Sequence, residues 1–181
     1  MGIKVYIDLG ANVGDTIAKF TEANPTYKVW GFEANPTLLP ALKKRFAGKA
    51  VQIIGAAAWV SDGEMPMYLG HPLSGTLVEG KRAMPEAPHF EVDYKNGVQV
   101  KTIDFANWLK KWFSLEHEII VKMDIEGAEY EVLKKMLRTN AIDLVKELRC
   151  EFHQDRFPIS RQRHLRLKKN LQTRTKLMNW S

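Results

Sequence analysis

The residues best suited to chemistry begin at Asp8-Leu9-Gly10-Ala11-Asn12-Val13-Gly14, a turn directly after an apolar run and directly before a helical pattern. In an open α/β sheet ligands bind outside the carboxyl ends of the strands, and this turn lies there. Gly10 and Gly14 let the backbone bend tightly and approach a ligand with no Cβ in the way. The helix that follows presents free N–H groups and about half a positive charge, which suits a carboxylate. A dinucleotide is disfavoured: Asn12 stands where the pyrophosphate loop G-x-G-x-x-G needs its second glycine, and the turn lacks the Lys-Ser or Lys-Thr pair of a P-loop. Asp8 instead suits a ligand bearing an ammonium. Glu33 ends the next strand, where a carboxylate can accept both hydroxyls of a ribose. Each feature also has a structural reading, a plain strand–helix turn for the glycines and a helix-preceding acid near Thr37 for Glu33. Taken together, two acidic strand ends with a glycine turn between them describe an adenosine carrying an amino-acid tail.

A second set of candidates lies further along, again at expected strand ends: Asp124, Glu126, Glu129, Glu151 and His153. A positioned acid or base contributes about 10²–10⁴ to a proton-transfer step. His153 has the side chain that titrates nearest neutrality, with an unperturbed pKa of about 6.5. A lone histidine is nonetheless more often structural. Asp124 and Glu126 flank a turn into a helix, so one is expected to cap it while the other faces the site. Glu129 falls in the first helical turn, where a carboxylate gains from the helix dipole. Asp124, Glu151 and His153 also make an O/N set that a divalent cation would accept. No spacing requires a metal, and none is predicted.

The elements that must hold these residues alternate between short apolar runs and helical patterns, which argues for βαβ units, a mostly parallel sheet and a single domain. Strands are expected over Ile3 to Leu9, Tyr27 to Glu33, Val51 to Val60, Val98 to Ile103, Glu118 to Asp124 and Leu144 to His153, with a last short one over Lys176 to Trp180. Helices are expected over Gly14 to Ala23, from Thr37, after an Asp104 cap, over Glu126 to Leu137 and around Arg161 to Leu171. In the helix after Asp104, Phe105, Trp108, Leu109 and Trp112 recur at core spacing. Residues 70 to 90, rich in Gly and Pro, read as a lid loop in which His71, Ser74 and Thr76 could touch a substrate.

At this point three segments resemble the FkbM-type methyltransferases. They are Asp8-Leu9-Gly10-Ala11-Asn12-Val13-Gly14-Asp15-Thr16, Gly31-Phe32-Glu33-Ala34-Asn35-Pro36, and Val121-Lys122-Met123-Asp124-Ile125-Glu126-Gly127-Ala128-Glu129. Val100 to Asp104 and Glu151-Phe152-His153 fit the same layout, so the resemblance spans about residues 3 to 155. It implies a Rossmann-like class I α/β fold with helices on both faces of the sheet, and S-adenosylmethionine as cofactor. Asp8, Gly10 and Gly14 would surround its methionine part, Glu33 would hold its ribose, and the backbone near Ala57 would meet its adenine edge. With Asn12 and Ala34 these complete the expected cofactor set. The acceptor would be a hydroxyl on a sugar or small molecule, with Asp124, Glu126 and His153 as catalytic candidates. Two departures stand out. Only one strand follows the last helix, so the usual C-terminal hairpin is incomplete, and Ala56-Ala57-Ala58 offers no polar side chain to an adenine.

Bulk properties leave rivals open. The chain has 181 residues and a net charge of +6, concentrated from Arg156 to Lys176 with eight Lys or Arg and no acid. That basic region, part of the 156–181 tail, could meet phosphates, so a ribose hydroxyl of a nucleic acid is an alternative acceptor. A non-catalytic module acting through a partner is another, since an uncovered sheet edge invites a second chain and a homo-oligomer. Cys150 stands alone, which points to a reducing, cytoplasmic setting. No apolar run approaches the ~20 residues of a membrane span, and Met1-Gly2-Ile3-Lys4 opens no signal peptide, so no membrane partner is expected.

Overall fold

The computed structural model describes residues 2–70, 74–83 and 91–180. Three apolar runs build its centre, β1 (Lys4–Leu9), β7 (Glu118–Met123) and β8 (Val145–Cys150), and nearly every residue of the first two is buried. With β2 (Lys28–Phe32), β3 (Val51–Ile54) and β9 (Lys176–Asn179) they form a six-stranded, wholly parallel sheet in the order β3-β2-β1-β7-β8-β9. The strand order reverses between β1 and β7, which opens a crevice at their carboxyl ends.

Side-chain alternation along β1 divides the core. Tyr6 joins Ile17 and Phe20 of α1 (Asp15–Ala23) and Leu42 of α2 (Leu39–Arg45) on one face. Val5, Ile7 and Leu9 point the other way, to Phe105 and Leu109 of α3 (Phe105–Trp112), Leu133 of α4 (Glu129–Arg138) and Leu171 of α5 (Arg161–Gln172). Each such aliphatic side chain, fully buried, stabilises by roughly 1.5–3 kcal/mol. Helices on both faces of a parallel sheet are what the sequence pattern implies.

The details differ in four places. Val51 to Val60 is not one strand: the chain leaves the main sheet at Ile54, and β4 (Ala57–Trp59) joins a second sheet with β5 (Gly63–Tyr68) and β6 (Gly97–Asp104) in the order β4-β6-β5. Strand β5 itself is unanticipated, because Pro66 interrupts it; it pairs antiparallel with β6. Asp104 does cap α3, accepting from the Asn107 N–H at 3.2 Å, yet of the two tryptophans only Trp108 packs on the core while Trp112 is 59% exposed. Helix α4 begins at Glu129 rather than Glu126. A single strand, β9, follows α5, and it runs parallel to β8.

Of the lid segment, His71 lies outside the described residues. Residues 74–83 form a strap docked at several points. Thr76 pairs with Tyr68 across an antiparallel bridge, and its Oγ1 donates to the Glu126 carbonyl at 2.7 Å. Further along, the Arg82 N–H donates to the Arg156 carbonyl at 2.6 Å.

Candidate active site

The turn after β1 is shaped by backbone crowding. Gly10 has φ +85°, and a Cβ there would stand 1.9 Å from the Asp124 carbonyl oxygen, so no other residue fits. Asn12 also sits at positive φ, a conformation that asparagine tolerates better than most residues. Its backbone N–H donates to Glu33 Oε2 at 2.7 Å, while Glu33 Oε1 accepts from the Asn35 N–H at 2.7 Å. The Ala34 N–H also bonds this carboxylate, so three backbone donors hold it. Burial raises the Glu33 pKa, and these backbone N–H groups act against that rise.

Glu33 lines a cleft at the carboxyl ends of the strands. So do Gly10, Asn12, Ala34, Ala57, Asp124 and Glu126 among the sequence candidates. Ala56, Ala58, Leu38 and Ile125 supply apolar wall, with Gly75 and Leu77 of the strap closing over it. The structure therefore gathers most of the expected residues around one space.

Three of the expected cofactor and catalytic residues do not line it, nor do Glu129 and Glu151 of the wider acidic set. Gly14 packs instead toward Phe46 and Leu42. Asp8 is wholly buried, and the Lys122 ammonium lies 3.1 Å from its Oδ1. The ammonium that Asp8 is suited to meet is thus one from the chain itself. Lys122 also donates to the Gly10 carbonyl at 2.9 Å and lies 3.5 Å from Asp124 Oδ2. Burial pushes the Asp8 pKa up to about 6, against the pull of Lys122. Burial disfavours the charge on Lys122, but Asp8 and Asp124 outweigh it and hold its pKa above the ordinary lysine value. His153, the third, stands behind Glu126, its Nε2 3.5 Å from Glu126 Oε2.

The segment between β7 and α4 wraps around a carboxylate. Neither Asp124 nor Glu126 caps α4, whose N-cap residue is Ala128 and makes no side-chain bond. The fully buried Glu129 instead holds the bend that leads into the helix. Its Oε1 accepts from the Ile125 N–H at 2.9 Å and its Oε2 from the Gly127 N–H at 2.9 Å. Glu126 and Gly127 adopt φ +53° and +99° to make the bend. Glu129 Oε1 also lies 3.0 Å from His153 Nδ1. The far ring nitrogen, Nε2, is 3.8 Å from both Asp124 Oδ1 and Glu151 Oε1. Burial alone would lower the His153 pKa; the Glu129 hydrogen bond and the charges of Glu129, Glu126 and Asp124 overcome it and bring it to about 9.

Lys81 and Lys122 are functional-site residues that the sequence reading passes over. Lys81, with a side chain only 2% exposed, reaches from the strap to Glu126 Oε2 at 2.7 Å and donates to Ser74 Oγ at 2.7 Å. Its signal is absent from a glycine- and proline-rich segment. Lys122 did leave one, a lone cation inside the apolar run Ile119-Ile120-Val121-Lys122-Met123. Donor atoms of Asp124, Glu126 and His153 lie within 4.8 Å of one another, close enough for a cation, though Lys81 already holds one Glu126 oxygen.

No curated protein and no solved structure matches the chain. A family model, the methyltransferase FkbM domain, matches residues 8–173, which takes in the glycine turn, Glu33, the Asp124–Glu129 bend and His153. Spanning most of the sequence and every element around the cleft, that match shows that the chain belongs to the FkbM methyltransferase domain family.

Proposed function

We propose that this methyltransferase domain takes S-adenosylmethionine as its methyl donor and methylates a hydroxyl of a sugar or other small molecule. The observation that carries the reading is Glu33, a carboxylate fixed by three backbone N–H groups on the wall of a cleft that also exposes Asp124 and Glu126. The residues present fit an adenosine. Three backbone donors leave about one acceptor site on the Glu33 carboxylate for a ribose hydroxyl, and Ala56, Ala57 and Ala58 leave a small-residue wall. The Gly10 turn passes within van der Waals reach of β7 with no side chain to fill the space.

When bound, S-adenosylmethionine supplies an electrophilic methyl group. Asp124 and Glu126 accept hydrogen bonds from the acceptor and orient its hydroxyl, and orientation of this kind provides much of the rate of a displacement. Glu126, on the cleft wall, takes the hydroxyl proton, and His153 Nε2, 3.5 Å behind it, draws the proton on once the imidazole is neutral. Gly75 and Leu77 of the strap keep water from the cleft.

The nucleic-acid alternative draws on α5, whose cations carry no acidic neighbour within the helix. Several of the region's cations are engaged internally: Arg163 with Glu131 at 2.5 Å, Lys168 with Asn179 at 3.0 Å, and Arg174 with Asp143. A small acceptor is therefore favoured.

Calorimetry with S-adenosylhomocysteine tests the donor. The wild-type domain is expected to bind it, and Glu33→Ala to weaken it by roughly a hundredfold, since hydrogen bonds to a charged group are worth about 1.5–3 kcal/mol each. Equal affinity in the two proteins removes the ribose assignment. Transfer of labelled methyl to a panel of monosaccharides, polyols and short RNA oligonucleotides tests the acceptor class, and labelling of RNA alone overturns the small-molecule reading.

A further inference from the structure

We infer that Glu129 is the positioning residue of the acceptor side, a single buried carboxylate that folds the Asp124–Glu126 bend and fixes the tautomer and direction of the His153 imidazole. The inference rests on the reading of this cleft as a methyl-transfer site. A carboxylate in the first turn of a helix needs no more than exposure to the N-terminal dipole to be favourable. Glu129 is instead completely closed to solvent, and three different groups converge on its two oxygens.

Two of those groups are backbone N–H donors, from Ile125 and Gly127. They alternate with the two carboxylates that line the cleft, so the bend presenting Asp124 and Glu126 is wound on the Glu129 side chain. The third group is His153 Nδ1, at 3.0 Å. An ionised carboxylate can only accept, so Nδ1 must carry the proton and the lone pair of a neutral ring must sit on Nε2. Free imidazole has no such constraint. Nε2 then faces the catalytic side: Glu126 at 3.5 Å, with Asp124 and Glu151 each at 3.8 Å. The charged groups around the ring are these three carboxylates, Glu129 behind it, and Lys81, which reaches Glu126 from the strap. A base held by a hydrogen-bonded carboxylate on its remote nitrogen is the arrangement that keeps an imidazole in one tautomer and one orientation for catalysis.

The test reads the imidazole directly and needs no knowledge of the acceptor. The full chain is labelled with ¹⁵N-histidine, the His153 signals are identified by their loss in His153→Ala, and ring nitrogen shifts are followed through pH. In the wild type, above the titration midpoint, the neutral ring is expected to carry its proton on Nδ1; a proton on Nε2 overturns the inference with no variant needed. In Glu129→Gln the amide oxygen can still accept from Nδ1–H and from the Ile125 N–H, but the charge is gone, so the midpoint is expected to fall by at least about one unit. Glu129→Asp, which keeps the charge one methylene short, should retain a raised midpoint and guards against a glutamine variant that does not fold. An unmoved midpoint in Glu129→Gln would reduce Glu129 to a helix-end acid. S-adenosylhomocysteine calorimetry on the wild type separates the two readings: no binding there sinks the methyl-donor assignment, whereas the tautomer and midpoint results decide the role of Glu129.

Discussion

Lys122 Nζ lies 3.1 Å from Asp8 Oδ1, a carboxylate with no exposure, and 2.9 Å from the carbonyl oxygen of Gly10. One ammonium thus ties the end of β1 to β7 directly beneath the Gly10 turn. Removing one member of a buried pair leaves an uncompensated charge and costs about 3–5 kcal/mol. Lys122→Met should therefore be strongly destabilising, lowering the melting temperature by roughly 10 °C for a domain of this size. Thermal denaturation at pH 7 checks it, and a loss under about 2 °C would show that the pair contributes little.

Gly10→Ala attacks the same turn from the backbone. The added methyl would meet the Asp124 carbonyl at 1.9 Å, and φ +85° is strained for alanine even in open space. Either the turn moves away from β7 or the strand end does, and both carry cleft residues. The expected outcome is loss of measurable S-adenosylhomocysteine binding together with a destabilisation of at least about 2 kcal/mol, the left-handed conformation alone costing roughly 1–2. Calorimetry and urea unfolding read the two effects separately.

Much of this arrangement was legible in the sequence. Buried parallel strands are written as continuous apolar runs, so β1, β7 and β8 could be placed, and the glycine turn marked its own position after β1. What escaped depends on distant partners. Val51 to Val60 looks like one strand because Gly55-Ala56 is locally permissive; only the second sheet, with β6 as partner to Ala57–Trp59, shows that the chain changes sheets there. Asp8 is the opposite case: its acidity suits a ligand's ammonium, and in the fold it also meets Lys122. A charge states its sign in the sequence, but its counter-ion is chosen by the fold. Glu129 and Lys81 belong to the same class, both defined by groups twenty or more residues away.

His153 makes the domain sensitive to alkaline pH. Its native pKa of about 9 exceeds the ordinary value of 6.5, so the folded state binds the proton more tightly than the unfolded chain. The stabilisation is complete below about pH 6.5 and is lost as pH rises through 9, to an extent of roughly 3 kcal/mol at most. Wild-type stability should decline over this window more steeply than that of His153→Gln, as measured by urea unfolding at several pH values. Methyl transfer should rise over the same range, because only the neutral ring takes a proton. Parallel stability curves for the two proteins would contradict the assigned shift.

Lys81 is expected to act as a latch for the strap. Its side chain is almost wholly covered, and it meets Glu126 and Ser74, while Thr76 binds the Glu126 backbone. In Lys81→Met the Thr76 and Arg82 attachments remain, so the strap should loosen without global unfolding. Limited proteolysis followed by mass spectrometry is the measure: cleavage within residues 74–83 should accelerate several-fold in the variant while the melting temperature changes by no more than a few degrees. Equal cleavage rates would mean that Thr76 and Arg82 hold the strap unaided.

The same lysine bears on metal dependence. Asp124, Glu126 and His153 approach one another closely enough to hold a divalent cation, but the place already carries positive charge: Lys81 at 2.7 Å from Glu126, Lys122 at 3.5 Å from Asp124, and the His153 ring itself, whose raised pKa keeps it protonated at neutral pH. A metal would have to displace the first and deprotonate the last, since an imidazole ligates only when neutral. At pH 7 the proton alone weakens such binding by about a hundredfold, two units of pKa being a factor of that size. Turnover is therefore expected to survive dialysis against a chelator at neutral pH, with Mg²⁺ giving less than a twofold change. The competition also predicts its own reversal: Lys81→Met at pH 9 frees both a Glu126 oxygen and the imidazole, and this variant should bind Mn²⁺ measurably tighter by calorimetry than the wild type does at pH 7. Chelator-sensitive turnover in the wild type, restored by added metal, would show that the lysine yields its place when the site is working.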